Sequence, residues 1–200
     1  HKGNITTGRY GLDGTGNKSY GYLGGGIGST VVDRIDYSND SANTTPKGPL
    51  SAQGYGNSAA GTGDYGYWAG RHPAAGTGSI VTRLDYSNDT ATSVAKGPLS
   101  RGRQWISAST STTHGYWAGG RDSTDWVTTI VDRVDYSNDT ATASVKGPLH
   151  TTVAEVSGLG AQNNDLPIPS TNFIPRIRWV DSVAEASGGP AYGYWGGGYN

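Results

Sequence analysis

The sequence predicts an all-β fold made of several small antiparallel sheets, and three observations predict it. The 200 residues include 33 Gly, 13 Tyr and 6 Trp but no Met and no Cys. Gly, Asp and Asn favour turns, while Tyr, Trp, Val, Ile and Thr favour strands. The pentapeptide Asp-Tyr-Ser-Asn-Asp returns at residues 36–40, 85–89 and 135–139. The tetrapeptide Lys-Gly-Pro-Leu returns at 47–50, 96–99 and 146–149. Self-similarity at a period near 50 is the signature of a repeat array of small sheets.

The charge pattern removes several function classes. Charged residues make up only 16% and the formal net charge is −1, so there is no electrostatic footprint for nucleic acid. No apolar run approaches the roughly 18 residues that would span a bilayer. The absence of Cys removes disulfide scaffolds, Cys-ligated zinc and thiol nucleophiles. The first residue is His1, which predicts a processed or excerpted product.

Each element of the unit can be argued in order. From Lys2, Lys47 and Lys96 to Tyr22, Tyr67 and Tyr116 the offset is 20 each time, and from Arg34, Arg83 and Arg133 to the next Lys it is 13. Fixed lengths read as strands joined by tight turns. The stretches 9–12 and 105–108 read as a first strand, and 14–16 and 61–63 as turns. Tyr-Gly-Tyr at 20–22 and 65–67, with His114-Gly-Tyr116, reads as the innermost and most apolar strand. Residues 31–37 alternate two faces, as a strand does. Ser38-Asn39-Asp40 is turn chemistry, 42–45 returns as a short strand, and Pro49 ends pairing. The distance from Tyr to Arg varies, so the loops at 70–79 and 119–128 are the variable ones.

These are four short strands per unit of about 50 residues, with units at about 2–46, 47–95, 96–145 and 146–188. A partial unit follows at 189–200. The fourth unit is eroded, because Pro167, Pro169 and Pro175 cannot donate to a ladder. A fresh Tyr192-Gly-Tyr194-Trp195 follows it and could replace the strand that 166–170 cannot supply.

The unit resembles the kelch repeat. The resemblance rests on Tyr116-Trp-Ala-Gly-Gly120, Val131-Asp-Arg-Val-Asp-Tyr136, Asn138-Asp139-Thr140 and Gly147-Pro148. It covers essentially the whole chain but lacks the Trp usual after the turn. It implies an all-β kelch-like β-propeller, with four blades of four antiparallel strands and an extra closing strand at the C-terminal end. The Tyr-Ser-Asn-Asp-Thr and Lys-Gly-Pro-Leu variant is also similar to kelch-like arrays of tailed phages and bacterial surface proteins. That similarity implies a structural protein of a virion surface or another extracellular location.

Candidate functional residues are judged against the framework. Arg34, Arg83, Arg133 and Arg176 recur in phase, and Asp36, Asp85 and Asp135 follow two residues later. They read as an Arg–Asp pair on one strand face that pins neighbouring blades, in preference to a ring of charges around a ligand. Asn4, Asn17, Asn39, Asn43, Asn88 and Asn138 lie in Asn-x-Ser/Thr sites, read as turn formers and, in a eukaryotic secretory product, as glycosylation acceptors. Asp36, Asn39 and Asp40 have no EF-hand spacing. Residues 61–66 match Gly-x-Gly-x-x-Gly without a following helix. The four His, Glu155 and Glu185 show no catalytic or metal spacing, so no enzyme activity, cofactor or metal is expected. The variable loops break the repeat, and function on repeat scaffolds sits in such loops. Arg71, His72, Arg121, Asp125 and Trp126 are therefore the candidate binding residues. The expected partners are other subunits of an assembly, the chain itself, or cell-surface glycans. The alternative is a soluble lectin with one loop-borne site per blade.

Overall fold

A computed structural model describes residues 2–72, 77–155, 158–159 and 194–195. It is all-β, with three four-stranded antiparallel sheets. The first sheet runs β1 (Leu12–Gly16), β2 (Tyr20–Gly25), β3 (Val32–Asp36), β4 (Thr45–Lys47). The second runs β5 (Ser58–Gly61), β6 (Tyr65–Ala69), β7 (Thr82–Asp85), β8 (Val94–Ala95). The third runs β9 (Ser107–Thr110), β10 (His114–Ala118), β11 (Val131–Asp135), β12 (Ser144–Lys146). In each, strands pair in chain order. A two-stranded sheet pairs β13 (Gly158–Leu159) with β14 (Tyr194–Trp195). Among the described residues there is no α-helix, and none of their helices is long and apolar enough to cross a membrane.

The turns come from side chains at fixed offsets. Asn17 Oδ1 accepts from the Ser19 and Tyr20 amides, Thr62 Oγ1 from Asp64 and Tyr65, and Ser111 Oγ from Thr113 and His114. These three residues close the first hairpin of each sheet, as short polar side chains do in turns. Residues 14–16, expected to be a turn, instead complete β1, and the turn falls on 17–19. The first strands also begin later than expected, at Leu12 and Ser107 instead of Arg9 and Trp105.

A second expectation is overturned. The most extensive strand-to-strand contacts between sheets join β1 to β5, β5 to β9 and β9 to β13, while the Tyr-Gly-Tyr strands β6 and β10 lean more lightly on the first strand of the preceding sheet. The reason is crowding. Small residues permit the approach: Gly14, Ala59 and Ala108 stand at equivalent positions of β1, β5 and β9. The aromatic strands β2, β6 and β10 lie one position further out and fill the space between sheets. Trp68, Trp117, Tyr67 and Tyr22 are buried there.

The two junctions between the four-stranded sheets use the same devices. Trp68 Nε1 donates to the Asp13 carbonyl of the preceding sheet at 3.0 Å, and Trp117 Nε1 to Ser58 at 3.2 Å. Tyr22 stacks on Tyr86 with centroids 4.4 Å apart, and Tyr67 on Tyr136 at 4.8 Å. The Lys-Gly step hooks onto the turn of the next sheet. The Gly48 amide donates to the Asp89 carbonyl at 2.7 Å and Gly97 to Asp139 at 2.8 Å. The approach is so close that a Cβ on Gly97 would fall inside the Ala141 carbonyl. Because a backbone carbonyl cannot rotate away as a flexible side chain can, Gly97→Ala is expected to destabilise by about 2–3 kcal/mol, read from the denaturant midpoint. Substitution of Gly147, which has nothing within 4 Å among the described residues, is the neutral control.

Beneath the sheets lie buried arginines, seven residues after the hook Lys. Arg9 pairs with Asp33 at 2.7 Å, and Arg103 with Asp132, all four side chains being buried. The second sheet has Gly54 at this offset and Thr82 in place of the acid. Arg71 fills the gap, its side chain packing where a Cβ of Gly54 would lie. Arg71 donates to the carbonyls of Ala52 and Ile80, each at 3.0 Å. Burial pushes its guanidinium down to about 10, so it remains charged at neutral pH.

β14 pairs with β13 so that Trp195 faces Gly158. Trp68 faces Ala59 and Trp117 faces Ala108 in the same way. β14 thus stands beside β13 as β6 stands beside β5 and β10 beside β9. Residues 166–170, 173–179 and Arg176 lie outside the described residues.

Candidate functional site

Four in-phase residues, nine after each hook Lys, are Gly11, Gly56, Trp105 and Glu155. All four have φ between 55° and 69°. They form a backbone ladder: the Gly56 amide donates to Gly11, Trp105 to Gly56 and Glu155 to Trp105, at 2.9, 2.7 and 3.0 Å. The ladder frames a cavity of about 430 Å³ with Asp13, Asn57, Ser58, Trp105 and Glu155 in its walls. Residues from all three sheets and from the segment leading into β13 thus converge on one space.

An aromatic row leads to this cavity. Tyr10, which is 56% exposed, meets Tyr55 edge-on at 5.8 Å. Tyr55 stacks on His72 at 4.8 Å and meets Trp105 edge-on at 5.6 Å. On the other side, Glu155 pairs with Arg121 at 2.9 Å, and the Arg121 guanidinium lies 4.6 Å over the Trp126 ring. Trp126 is 75% exposed. Arg101 gathers Asp122 and Asp125 at 2.6 and 2.8 Å. Burial opposes the charge on Asp122, but hydrogen bonds from the Asp125 amide, Arg101 and the Thr124 amide hold its carboxyl below the usual carboxylate range.

The structure sorts the five loop candidates. His72, Arg121 and Trp126 belong to the surface around the cavity, and Asp125 is held by Arg101. Arg71 is a correction: it is buried and bonded to carbonyls, because Gly54 leaves a space that only a long side chain from the following loop can fill. Tyr10, Tyr55, Trp105 and Glu155 were missed. The available signal was the offset from the hook Lys, where Trp105 and Glu155 stand in the phase of Gly11 and Gly56.

The Arg–Asp reading is corrected as well. Arg34 does not pair with Asp36. It reaches Asp89 of the next sheet at 2.7 Å, joined there by Lys47 at 3.1 Å and the Tyr22 hydroxyl at 3.0 Å. Arg83, Lys96 and Tyr67 converge on Asp139 at 2.7, 3.2 and 3.0 Å. Burial, then the carboxylate, push the Tyr22 hydroxyl well above its usual range, so it stays a donor. Burial opposes the charge on Arg34, but Asp89 and Tyr22 more than offset it. Asp36, Asp85 and Asp135 instead cap the short 3₁₀ turns that follow them, accepting from Ser38, Ser87 and Ser137. These hydrogen bonds hold all three carboxyls below their usual range. Arg34 and Arg83 thus act at the junctions between sheets, through Asp89 and Asp139 and not through the aspartate two residues on. Arg133 lies opposite Tyr116 in the third sheet.

The glycosylation candidates lie where the turns place them. Asn39, Asn88 and Asn138 are exposed on the 3₁₀ turns, and Asn4 and Asn43 are exposed beside each other, the Asn4 amide donating to Asn43. Asn17 is half-buried and bonded within its own turn. Among the described residues no group of three or more His, Asp or Glu side chains is placed to hold a metal ion. No family model and no curated protein matches this sequence.

Proposed function

We propose that the chain is a kelch-like β-propeller with a non-enzymatic binding and structural role in an extracellular assembly, such as a virion tail or fibre or a surface appendage. It contacts protein or glycan through the face around the cavity. The propeller reading draws on the repeated junction devices and on the convergence of four units on one cavity.

One observation carries the binding role. Among the described residues, Trp105 and Glu155 are the two non-glycine residues with positive φ, and both line the cavity where the first two units have Gly. A left-handed backbone costs a residue other than Gly roughly 1–2 kcal/mol. Strain of this kind gathers at functional sites. Glycine would relieve it, yet an aromatic face and a carboxylate stand here. Trp offers a stacking surface, and Glu155 and Arg121 can hydrogen-bond hydroxyl groups. The four in-phase positions differ in chemistry, so the site is one composite surface; this disfavours the alternative lectin with equal sites on every blade.

Glycan-array screening followed by calorimetry on the best ligand tests the reading. Glu155→Gly is expected to weaken binding about tenfold or more while leaving stability unchanged within about 1 kcal/mol, since relief of strain offsets a solvent-exposed ion pair. Trp126→Ala is expected to weaken binding similarly. Several equal sites per chain, or binding untouched by both substitutions, would overturn it.

A further inference from the structure

The two guanidiniums beside the cavity are each held by a carboxylate, and this narrows what the cavity can take. Arg121 pairs with Glu155 at 2.9 Å, and Arg101 with Asp122 and Asp125 at 2.6 and 2.8 Å. A further carboxylate, Asp13, stands in the wall itself. It accepts from the Gly14 amide at 2.8 Å, the Ser58 hydroxyl at 2.7 Å and the Ala59 amide at 2.9 Å. Among the described residues, four carboxylates (Asp13, Asp122, Asp125 and Glu155) thus stand in or beside the cavity with two guanidiniums, Arg101 and Arg121. An anionic ligand would have to displace a carboxylate from an ion pair and then lie near Asp13, and like charges brought together are costly. The aromatic faces can be used without breaking any pair. Trp126 is 75% exposed. The Trp105 ring lies over Gly56, where a Cβ would fall 3.0–3.2 Å from three of its ring atoms, so backbone supports it from one side.

We propose that the ligand of this cavity is an uncharged glycan, and that Glu155 sets the choice by occupying the Arg121 guanidinium. Resting on the cavity's binding role, this assignment names the ligand class. Sugar rings stack their C–H faces on Trp105 and Trp126, as apolar surface does on aromatic rings. Their hydroxyls hydrogen-bond the paired charges without separating them, since a guanidinium has five donors and a carboxylate about four acceptor sites, and one ion pair leaves some of each for the ligand. A cavity of about 430 Å³ falls in the size range of small-ligand sites, whereas a protein partner covers roughly 800 Å² of open surface. Glycan is therefore favoured over protein. The Glu155 side chain is 41% exposed, so its charge can be removed without leaving a cation in a dry interior.

The whole protein is screened on an array of matched sets, in which neutral glucosyl, galactosyl and mannosyl oligosaccharides stand beside their sulfated, uronic and amino forms. The best neutral member and its charged forms are then titrated by calorimetry. The neutral member is expected to bind about tenfold or more tighter than its acidic form. Its affinity is expected to change less than about twofold when salt is raised about tenfold. Glu155→Gln releases Arg121 from its carboxylate and is expected to shift the acidic-to-neutral affinity ratio about tenfold toward the acidic form. Both ligands are measured on one preparation, so a partly unfolded sample leaves this ratio unchanged. Preference for an acidic or amino form in the unaltered protein, or a ratio unmoved by Glu155→Gln, overturns the proposal and leaves the cavity's binding role standing. Binding of no member of the array overturns glycan binding at the cavity itself, and the proposal falls with it.

Discussion

Asp139→Ala is expected to lower stability by about 3–5 kcal/mol, a fall in Tm of roughly 10 °C. The Asp139 side chain is only 7% exposed, and three donors of two kinds of charge converge on it. Removing it strands the Arg83 and Lys96 cations and the Tyr67 hydroxyl in a largely dry junction, where an unpaired donor bears its full desolvation cost. The same turn also receives the Gly97 amide, so loss of the clamp loosens the hook beside it. Asp85→Ala removes only the cap of a short turn and is expected to cost about 1 kcal/mol. Thermal unfolding followed by circular dichroism distinguishes the two. Equal effects would mean that Asp139 does not tie the sheets together.

Arg103→Met is expected to cost about 3–5 kcal/mol, for a different reason. Arg103 and Asp132 are both fully buried. Arg103 also donates to the carbonyls of Gly119 and Ile130, at 2.7 and 2.9 Å. The substitution leaves a carboxylate in the interior with no cation to balance it. Adding Asp132→Thr is expected to recover about half of the loss, because the second sheet already has Thr82 at this position, its hydroxyl donating to the Trp68 carbonyl. Denaturant midpoints for the single and double variants check this. A double variant no more stable than the single one would show that the carbonyl contacts, not the buried charge, dominate.

Much of the architecture could be read from the residues, since each strand and turn is specified locally. Alternation over 31–37 marks a strand, and Ser-Asn-Asp marks a turn. Repetition then multiplies each local signal. What the residues concealed was which elements meet across sheets. Arg34 and Asp36 lie two apart on one strand and share a face, so a local pair looks natural. The Ser38 amide takes Asp36 instead, and Arg34 reaches a partner 55 residues on. Apolarity also pointed to the wrong strand: the aromatic strands are buried between sheets, while β1, β5 and β9, which make the most extensive contacts across sheets, carry Gly14, Ala59 and Ala108 at equivalent positions. Arg9 and Arg103 share an offset from their hook Lys, yet Gly54 interrupts the series, and only packing shows that Arg71 takes the vacant space. The cavity surface combines positions from all units, so no single stretch announces it.

The central claim is that the first sheet is fastened to the second, and the second to the third, through the aspartate that ends the Asn-Asp turn. Two double-mutant cycles by denaturant unfolding test it most directly, one coupling Arg83 to Asp139 and the other coupling Arg83 to Asp85. The predicted result is a coupling energy of about 1–3 kcal/mol in the first cycle and near zero in the second. Coupling confined to Arg83 and Asp85 would contradict the claim.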